Sequence, residues 1–521
     1  MVAASHQGPY LLGIDYGTES CRVGLFTLSG RPVTFAATSY RTTYPRGGWA
    51  EQNPDDWWNA LIASTGKALK ESGVSAKDIV GIGFDATSAT VVALDAAGQA
   101  LGPAIMWMDV RASKQAARAD EVQSEATRYQ GNHTMPATAE WFPFKVAWIK
   151  ENRPDVYAAT ANFLDAPDWL GYRLTGELRI NENSAAAKMY HDRNRGGFPH
   201  DFYEAVGVVD VFGKMPEVVQ PLGTPLGELT TRAAFDLGLI PGTPVAEGCI
   251  DAYAGQIGLN VLTPGRMALI TGSSHVLLGQ AADPVSGPGF LGAFVDAVVP
   301  GQSSVEAAMA SSGSAVKWFR DNFAGDVVNA ADKVGMVAYD VLNMESKDIP
   351  PGSEGLIINP YFQGLRTPWT DSQARAIIWG LSLRHTQAHV YHALQESICY
   401  GVAHNLRAMQ ESGVPVKELV ACGGALKSRA WMQMHADVTG LPIVLTEVQD
   451  AVALGSCIMA AAGSGQFASI TEAADAMVHE VETVEPDPAR HEEYRFFAQA
   501  YIDTYPQLKE LQHRMAAHLD R

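Results

Sequence analysis

The sequence predicts an α/β protein of two domains, and three observations lead there. An apolar run near the start ends in Asp, Gly and a cluster of hydroxyls, Leu11-Leu12-Gly13-Ile14-Asp15-Tyr16-Gly17-Thr18-Glu19-Ser20. The same design returns past the midpoint as Met267-Ala268-Leu269-Ile270-Thr271-Gly272-Ser273-Ser274. At 521 residues the chain exceeds what one compact core usually organises. We place the boundary near residue 260, giving domains of 1–259 and 260–521.

The elements follow in order. Val23-Gly24-Leu25-Phe26 resumes the apolar pattern, so the first turn closes a hairpin. Asn53-Pro54-Asp55 supplies the cap and first turn of a helix over 57–72. Residues 78–85 read as a buried strand, and 90–94 as another that turns at Asp95-Ala96-Ala97-Gly98. An Ala-rich helical stretch covers 113–127, and helices follow over 144–152 and 168–174. In the second half, the strand 267–274 is followed by another at 276–279. The last third is mainly helical, over 386–411, 428–439, 451–462 and 488–518. No low-complexity linker separates the halves, so they are expected to pack closely.

Composition excludes several classes of function. Lys plus Arg total 38 against 57 Asp plus Glu, and a net charge of −19 disfavours nucleic acid or an anionic membrane surface as partner. The longest apolar stretch, 452–462, is too short to span a bilayer and contains Gly455 and Ser456. The first ten residues lack the basic and apolar regions of a signal peptide. Five scattered cysteines form no CxxC or zinc pattern and read as free thiols, which points to the cytoplasm.

The two Gly/hydroxyl turns are suited to phosphate. Gly17 permits backbone conformations closed to other residues, Thr18 and Ser20 offer donors, and Asp15 is placed to hold a metal ion. One such hairpin per half implies a duplicated architecture with a nucleotide between the halves. Gly248-Cys249-Ile250-Asp251-Ala252-Tyr253-Ala254-Gly255 puts Asp251 near a helix N-terminus, where it reads as a functional carboxylate or as a helix cap. Cys422-Gly423-Gly424-Ala425-Leu426-Lys427-Ser428 is a strand, a glycine pair and a helix, either a platform for a flat ligand or a tight turn. Two other patterns are decoys. Gly207–Lys214 has one residue too many for a Walker A loop, and Gly287–Gly292 fits GxGxxG with no βαβ unit after it.

Together these blocks resemble the FGGY carbohydrate kinases, ATP-dependent sugar and polyol kinases. The resemblance runs from about residue 10 to about residue 500. It rests on IDYGTES, GWAEQNPDDWW from Gly48, MWMDVR from Met106, KVAWIKEN from Lys145, YRLTG from Tyr172, GCIDAYAG, ITGSS, GLRTP from Gly364 and ACGGALKS. Phe142, Gln395 and Ala374-Arg375-Ala376 depart from the family pattern at positions that touch packing more than chemistry.

The resemblance implies an actin-like, ribonuclease H-like ATPase fold with nucleotide and sugar in the interdomain cleft. It implies Asp251 as general base, Asp15 as the residue organising Mg²⁺, and Gly17, Thr18, Glu19 and Ser20 facing the phosphates of ATP. It also implies that Thr271, Gly272 and Ser273 cradle phosphates from the second domain, with Gly423, Gly424, Ala425 and Ser428 at the adenosine. On the sugar side, Ser88 and Ala89 stand where glycerol kinases carry Arg-Glu and xylulose kinases Met-His. That small segment, with Glu19, Ser20 and Arg22, is similar to the ribulokinase branch. There a Lys and a Glu hold the ketose. Lys145 matches the Lys and Glu306 the Glu, and Trp107 and Asp109 are expected beside the sugar. Trp107 reads alternatively as core, and Glu306 as a solvated strand residue. A ketopentose such as D- or L-ribulose is expected, with erythritol, ribitol or xylulose as alternatives. An ATP-driven switch or a catalytically silent homologue is the alternative of another class. Dimers are common in the family, so a homodimer is expected by analogy.

Overall fold

A computed structural model describes residues 8–122, 124, 137–287 and 289–519. The expected helical stretch after residue 112 is observed as Ser113–Ala119, and its end at 125–127 lies outside the described residues.

The first sheet starts with β1 (Tyr10–Tyr16), β2 (Ser20–Thr27) and β3 (Pro32–Ser39), an antiparallel meander. Helix α1 (Pro54–Ser72) begins three residues before the expected position, because Pro54 occupies its first turn and Asn53 accepts the Asp55 N–H at 3.1 Å. Strand β4 (Ile79–Ala86) then pairs parallel with β1. Helices α2 (Phe142–Asn152), α3 (Ala166–Thr175) and α4 (Glu182–Lys188) follow. Strands β5 (Pro225–Glu228), β6 (Pro244–Ala246) and β7 (Cys249–Ile250) complete the sheet, in the order β5-β6-β4-β1-β2-β3 with β7 also on β4. Helix α5 (Asp251–Gly258) leads out of it.

The second sheet repeats the pattern. Strands β8 (Gly265–Thr271), β9 (His275–Ala281), β10 (Ala293–Val295) and β11 (Ser303–Met309) form an antiparallel group, with the helix α6 (Gly313–Phe323) after it. Helix α7 (Gln387–Glu411) precedes β12 (Val416–Gly423), which pairs parallel with β8 as β4 does with β1. Helix α8 (Arg429–Thr439), β13 (Ile443–Thr446), α9 (Ala451–Gly463), β14 (Glu480–Val484) and α10 (Pro488–Leu519) finish the chain. Among the described residues each of these sheets has seven strands.

Helix α9 belongs to the second half by sequence but packs on β1, β4 and α5 of the first. It is apolar all round and almost wholly buried, as its composition requires. Glycines let it approach. A Cβ on Gly83 would stand 2.0 Å from the Ser456 carbonyl oxygen, one on Gly13 2.6 Å from that of Ala453, one on Gly258 1.8 Å from that of Ala451, and one on Gly455 1.9 Å from that of Ala254.

Gly455→Ala is therefore expected to lower stability by about 3 kcal/mol through overpacking. Gly66→Ala, whose Cβ would enter open space on α1, should stabilise by up to about 1 kcal/mol. Thermal unfolding midpoints of the two variants should move in opposite directions.

Candidate active site

Three carboxylates gather at the carboxyl edge of adjacent strands, where open α/β sheets bind ligands. Asp15 ends β1, Asp85 lies opposite it in register on β4, and Asp251 opens α5 directly after β7, whose Cys249 is in register with Asp85. Burial pushes Asp15 up to about 6, against the lowering effect of Arg22. Burial and then the charge of Asp15 push Asp251 up to about 7, offset in part by the Ala252 N–H at 2.7 Å and by Lys188. Burial first, then Asp15, raises Asp85 well above the carboxylate range even though its Oδ2 accepts the Ser456 hydroxyl at 2.5 Å. Raised acids converging in a cleft mark a functional site rather than a structural one. Arg22 on β2 bridges Asp15 at 3.5 Å and Asp450, the N-cap of α9.

The first hairpin turns through Gly17, whose N–H reaches the Ser20 carbonyl at 3.1 Å. Its φ is not positive, so the turn does not use the conformation that only glycine favours. What the missing side chain leaves is space beside Asp15: a Cβ would be 3.9 Å from Asp15 Oδ1. The Thr18 carbonyl accepts Gln52 Nε2 at 2.7 Å, and Glu19 is exposed with its carbonyl bonded to the Tyr40 N–H. In the second hairpin Gly272 and Ser273 are exposed at the tip. Thr271 is buried, donating to the Cys422 carbonyl at 2.7 Å and accepting the Ala425 N–H at 3.1 Å. Here glycine is required: Gly423 has φ 98° and a Cβ would stand 2.2 Å from the Thr271 carbonyl oxygen. Ser428 caps α8. The structure adds a segment not singled out from the sequence, Ser311-Ser312-Gly313-Ser314, whose Ser312 and Ser314 N–H groups bond the Ser273 carbonyl.

On the sugar side, Trp107 donates its indole N–H to Thr18 Oγ1 at 3.1 Å, joining this wall to the phosphate hairpin. Ser88 is half-buried, and Ala89 adopts φ 45°, a strained value for a residue with a Cβ. The loop is held from outside. Asp165 accepts the Ala89 and Thr90 N–H groups, and Lys145 Nζ donates to the carbonyls of Ala89 and Met106 at 2.7 Å and of Trp107 at 3.3 Å. Lys145 is thus fully buried and committed to backbone. Asp109 is buried too, bonded to the Ala50 N–H and to Arg111, and does not reach the sugar side. Glu306 is not a solvated strand residue: its Oε2 receives Tyr253 Oη at 2.9 Å and Lys188 Nζ at 3.3 Å. Lys188, at the end of α4, is the cation that lowers the Asp251 pKa, and the sequence reading had missed it. Lys188, and not Lys145, is the lysine that lies beside Asp251.

Comparison with known proteins decides the family. Residues 10–258 match the N-terminal domain of the FGGY family of carbohydrate kinases, and residues 267–464 match its C-terminal domain. The chain belongs to the FGGY family of carbohydrate kinases. It is 32% identical to a ribulokinase of Geobacillus thermodenitrificans over 94% of this chain and 93% of that protein. It is 31% identical to an FGGY carbohydrate kinase domain-containing protein of Xenopus laevis, over 94% of this chain and 95% of that one. The crystal structure of xylulose kinase from Rhodospirillum rubrum superposes with a TM-score of 0.84 at 28% identity, covering 97% of this chain and all of the other. The FGGY kinase is accordingly an ATP-dependent phosphotransferase on carbohydrate, with the actin-like fold.

Its oxygen donors suit a hard divalent cation. Among the described residues no three acidic, His or Cys side chains form a metal cluster.

Two lysine variants separate the roles in the kinase. Lys188→Met removes a positive charge near Asp251, so turnover at neutral pH should fall about tenfold or more and recover partly at higher pH. Lys145→Met takes the ammonium away from the carbonyls of Ala89, Met106 and Trp107, of which Met106 keeps the Asp109 N–H, and should lower the unfolding temperature, at about 1–3 kcal/mol for each group left unsatisfied.

Proposed function

We propose that this kinase transfers the γ-phosphoryl group of ATP to a hydroxyl of a ketopentose such as D- or L-ribulose. The observation that carries this reading is Asp251 at the head of α5 with the Lys188–Glu306 pair beside it. A carboxylate that orients a hydroxyl, next to a cation and anion able to grip a carbonyl and neighbouring hydroxyls, suits a polar ketose better than a smaller polyol. Two of the similar proteins named ribulokinase, at 32% identity, support it. A xylulose kinase of Bacillus subtilis at 28% identity keeps xylulose as the second reading, with erythritol and ribitol behind it.

In this mechanism the sugar hydroxyl donates to Asp251 and attacks the γ-phosphorus as the bond to ADP breaks. Asp251 takes the proton late, and positioning supplies most of the acceleration. Thr18, Ser20 and Arg22 from one hairpin and Gly272 and Ser273 from the other face the phosphates. Gly423, Gly424 and Ala425 lie against the adenosine, with Ser428 beyond them. Asp15 would hold Mg²⁺, directly or through water, and the bound ion supplies charge neutralisation at the phosphates. The two domains meet near residue 260 and close on the ligands, excluding water that would otherwise hydrolyse ATP. Five buried free thiols favour a reducing cytoplasmic setting. A homodimer is the proposed assembly.

The experiment is ADP release with Mg-ATP across ribuloses, xyluloses, erythritol, ribitol and glycerol. Selective turnover of a ribulose is expected, and selective turnover of a polyol would replace the substrate reading. Asp251→Asn should retain ATP and sugar binding while losing about 10²-fold or more in turnover. Since the base works deprotonated and its pKa is raised to about 7, kcat/KM should rise through an acid limb near pH 7 and level off above it. A flat profile from pH 5.5 to 8, a window of about one unit or more on each side, would remove Asp251 from that role.

A further inference from the structure

A second cleft of the first domain is lined by none of the three carboxylates of the candidate site. Its volume is about 290 Å³, and it is framed by the start of α1, the turn Gly98-Gln99-Ala100, and Trp169 and Arg173 of α3. Two donors line it without acceptors. The Arg173 guanidinium lies 4.6 Å from the centroid of Trp58 and 5.3 Å from that of Trp169, and burial lowers its pKa. Its closest carboxylate oxygen, on Asp55, is 3.9 Å away, beyond hydrogen-bond reach, and that side chain is 77% exposed. Trp169 lines the cleft as well, and its indole N–H makes no hydrogen bond among the described residues. The other tryptophans of this layer are satisfied: Trp57 donates to Gln52 at 2.8 Å and Trp58 to Asp236 at 3.1 Å. An Arg held over indoles, paired with the exposed Asp55 only at 3.9 Å, can take two oxygens of a planar or tetrahedral anion.

We propose that this cleft binds a small metabolite through an oxyanion, a carboxylate or a phosphate ester, held by Arg173 and the Trp169 N–H. Asp55 and Asp236 balance Arg173 and Arg232 around it, so a ligand of low charge is favoured over a polyanion. Gly102, whose Cβ would meet nothing within 4 Å, leaves room for the body of the ligand. The cleft also backs onto the phosphate hairpin. Trp169 packs edge-on against Trp57, and the Trp57 carbonyl accepts the hydroxyl of Tyr16, the residue after Asp15.

The test is calorimetric titration of the full chain with inorganic phosphate and, separately, succinate, the interdomain site being filled with a non-hydrolysable Mg-ATP analogue. Saturable millimolar binding of at least one probe is expected. Binding of phosphate alone would assign a phosphate ester, and of succinate alone a carboxylate. Arg173→Gln should weaken it about tenfold or more, the usual consequence of losing a charge-assisted contact. Ala100→Trp, a change at an exposed turn, fills the cleft while leaving Arg173 on its indoles and should abolish it. Binding of neither probe, or binding that survives both variants unchanged, would overturn the proposal.

Discussion

The structure depends on the seating of one helix. Helix α9 comes from the second half of the chain and is clasped between the first sheet and α5 at backbone-to-backbone distance. Gly13 and Gly83 on the strands, Gly258 on α5 and Gly455 on α9 itself make that approach possible. The packing does more than fill volume. It brings the N-cap Asp450 to Arg22 and the Ser456 hydroxyl to Asp85, so these two polar links from α9 end on the neighbours of Asp15. The acidic edge of one domain is thereby braced by the other.

That bracing explains how so many acids coexist in the cleft. Asp15, Asp85, Asp251 and Asp450 repel one another, and burial raises the cost of ionising the first three. Arg22 and Lys188 are the cations supplied by the protein beside them, one at each end. A nucleotide alone would worsen the repulsion, whereas a nucleotide bound with a divalent cation relieves it.

Polar contacts also join the halves around the sugar side. Glu306 from β11 meets Lys188 and Tyr253 of the first domain, Asn183 bonds the Ala297 carbonyl while accepting the Ile250 N–H, and Arg366 reaches Glu140 at 3.2 Å. The Glu306, Asn183–Ala297 and Arg366–Glu140 contacts cross between the halves, while the Asn183–Ile250 bond lies within the first.

Much of this was legible in the sequence. The two Gly/hydroxyl hairpins, the Asp251 helix start and the strand–glycine–helix at Gly423 are local patterns, fixed by neighbours in the chain, and the fold delivers each at its expected place. The register that sets Asp85 opposite Asp15 was not legible, because it depends on the pairing of residues 70 positions apart in the chain. Nor was the choice between lysines. Lys145 and Lys188 are both single lysines in mixed segments, and only packing shows one ammonium committed to three carbonyls and the other paired with Glu306 beside the catalytic cleft. Sequence alone determined the two-domain α/β class, the phosphate turns and the kinase family, since these rest on short-range backbone chemistry and motif order. Tertiary structure decided which charged groups share the cleft and which are structural, because burial and pairing are set by residues far away in the chain.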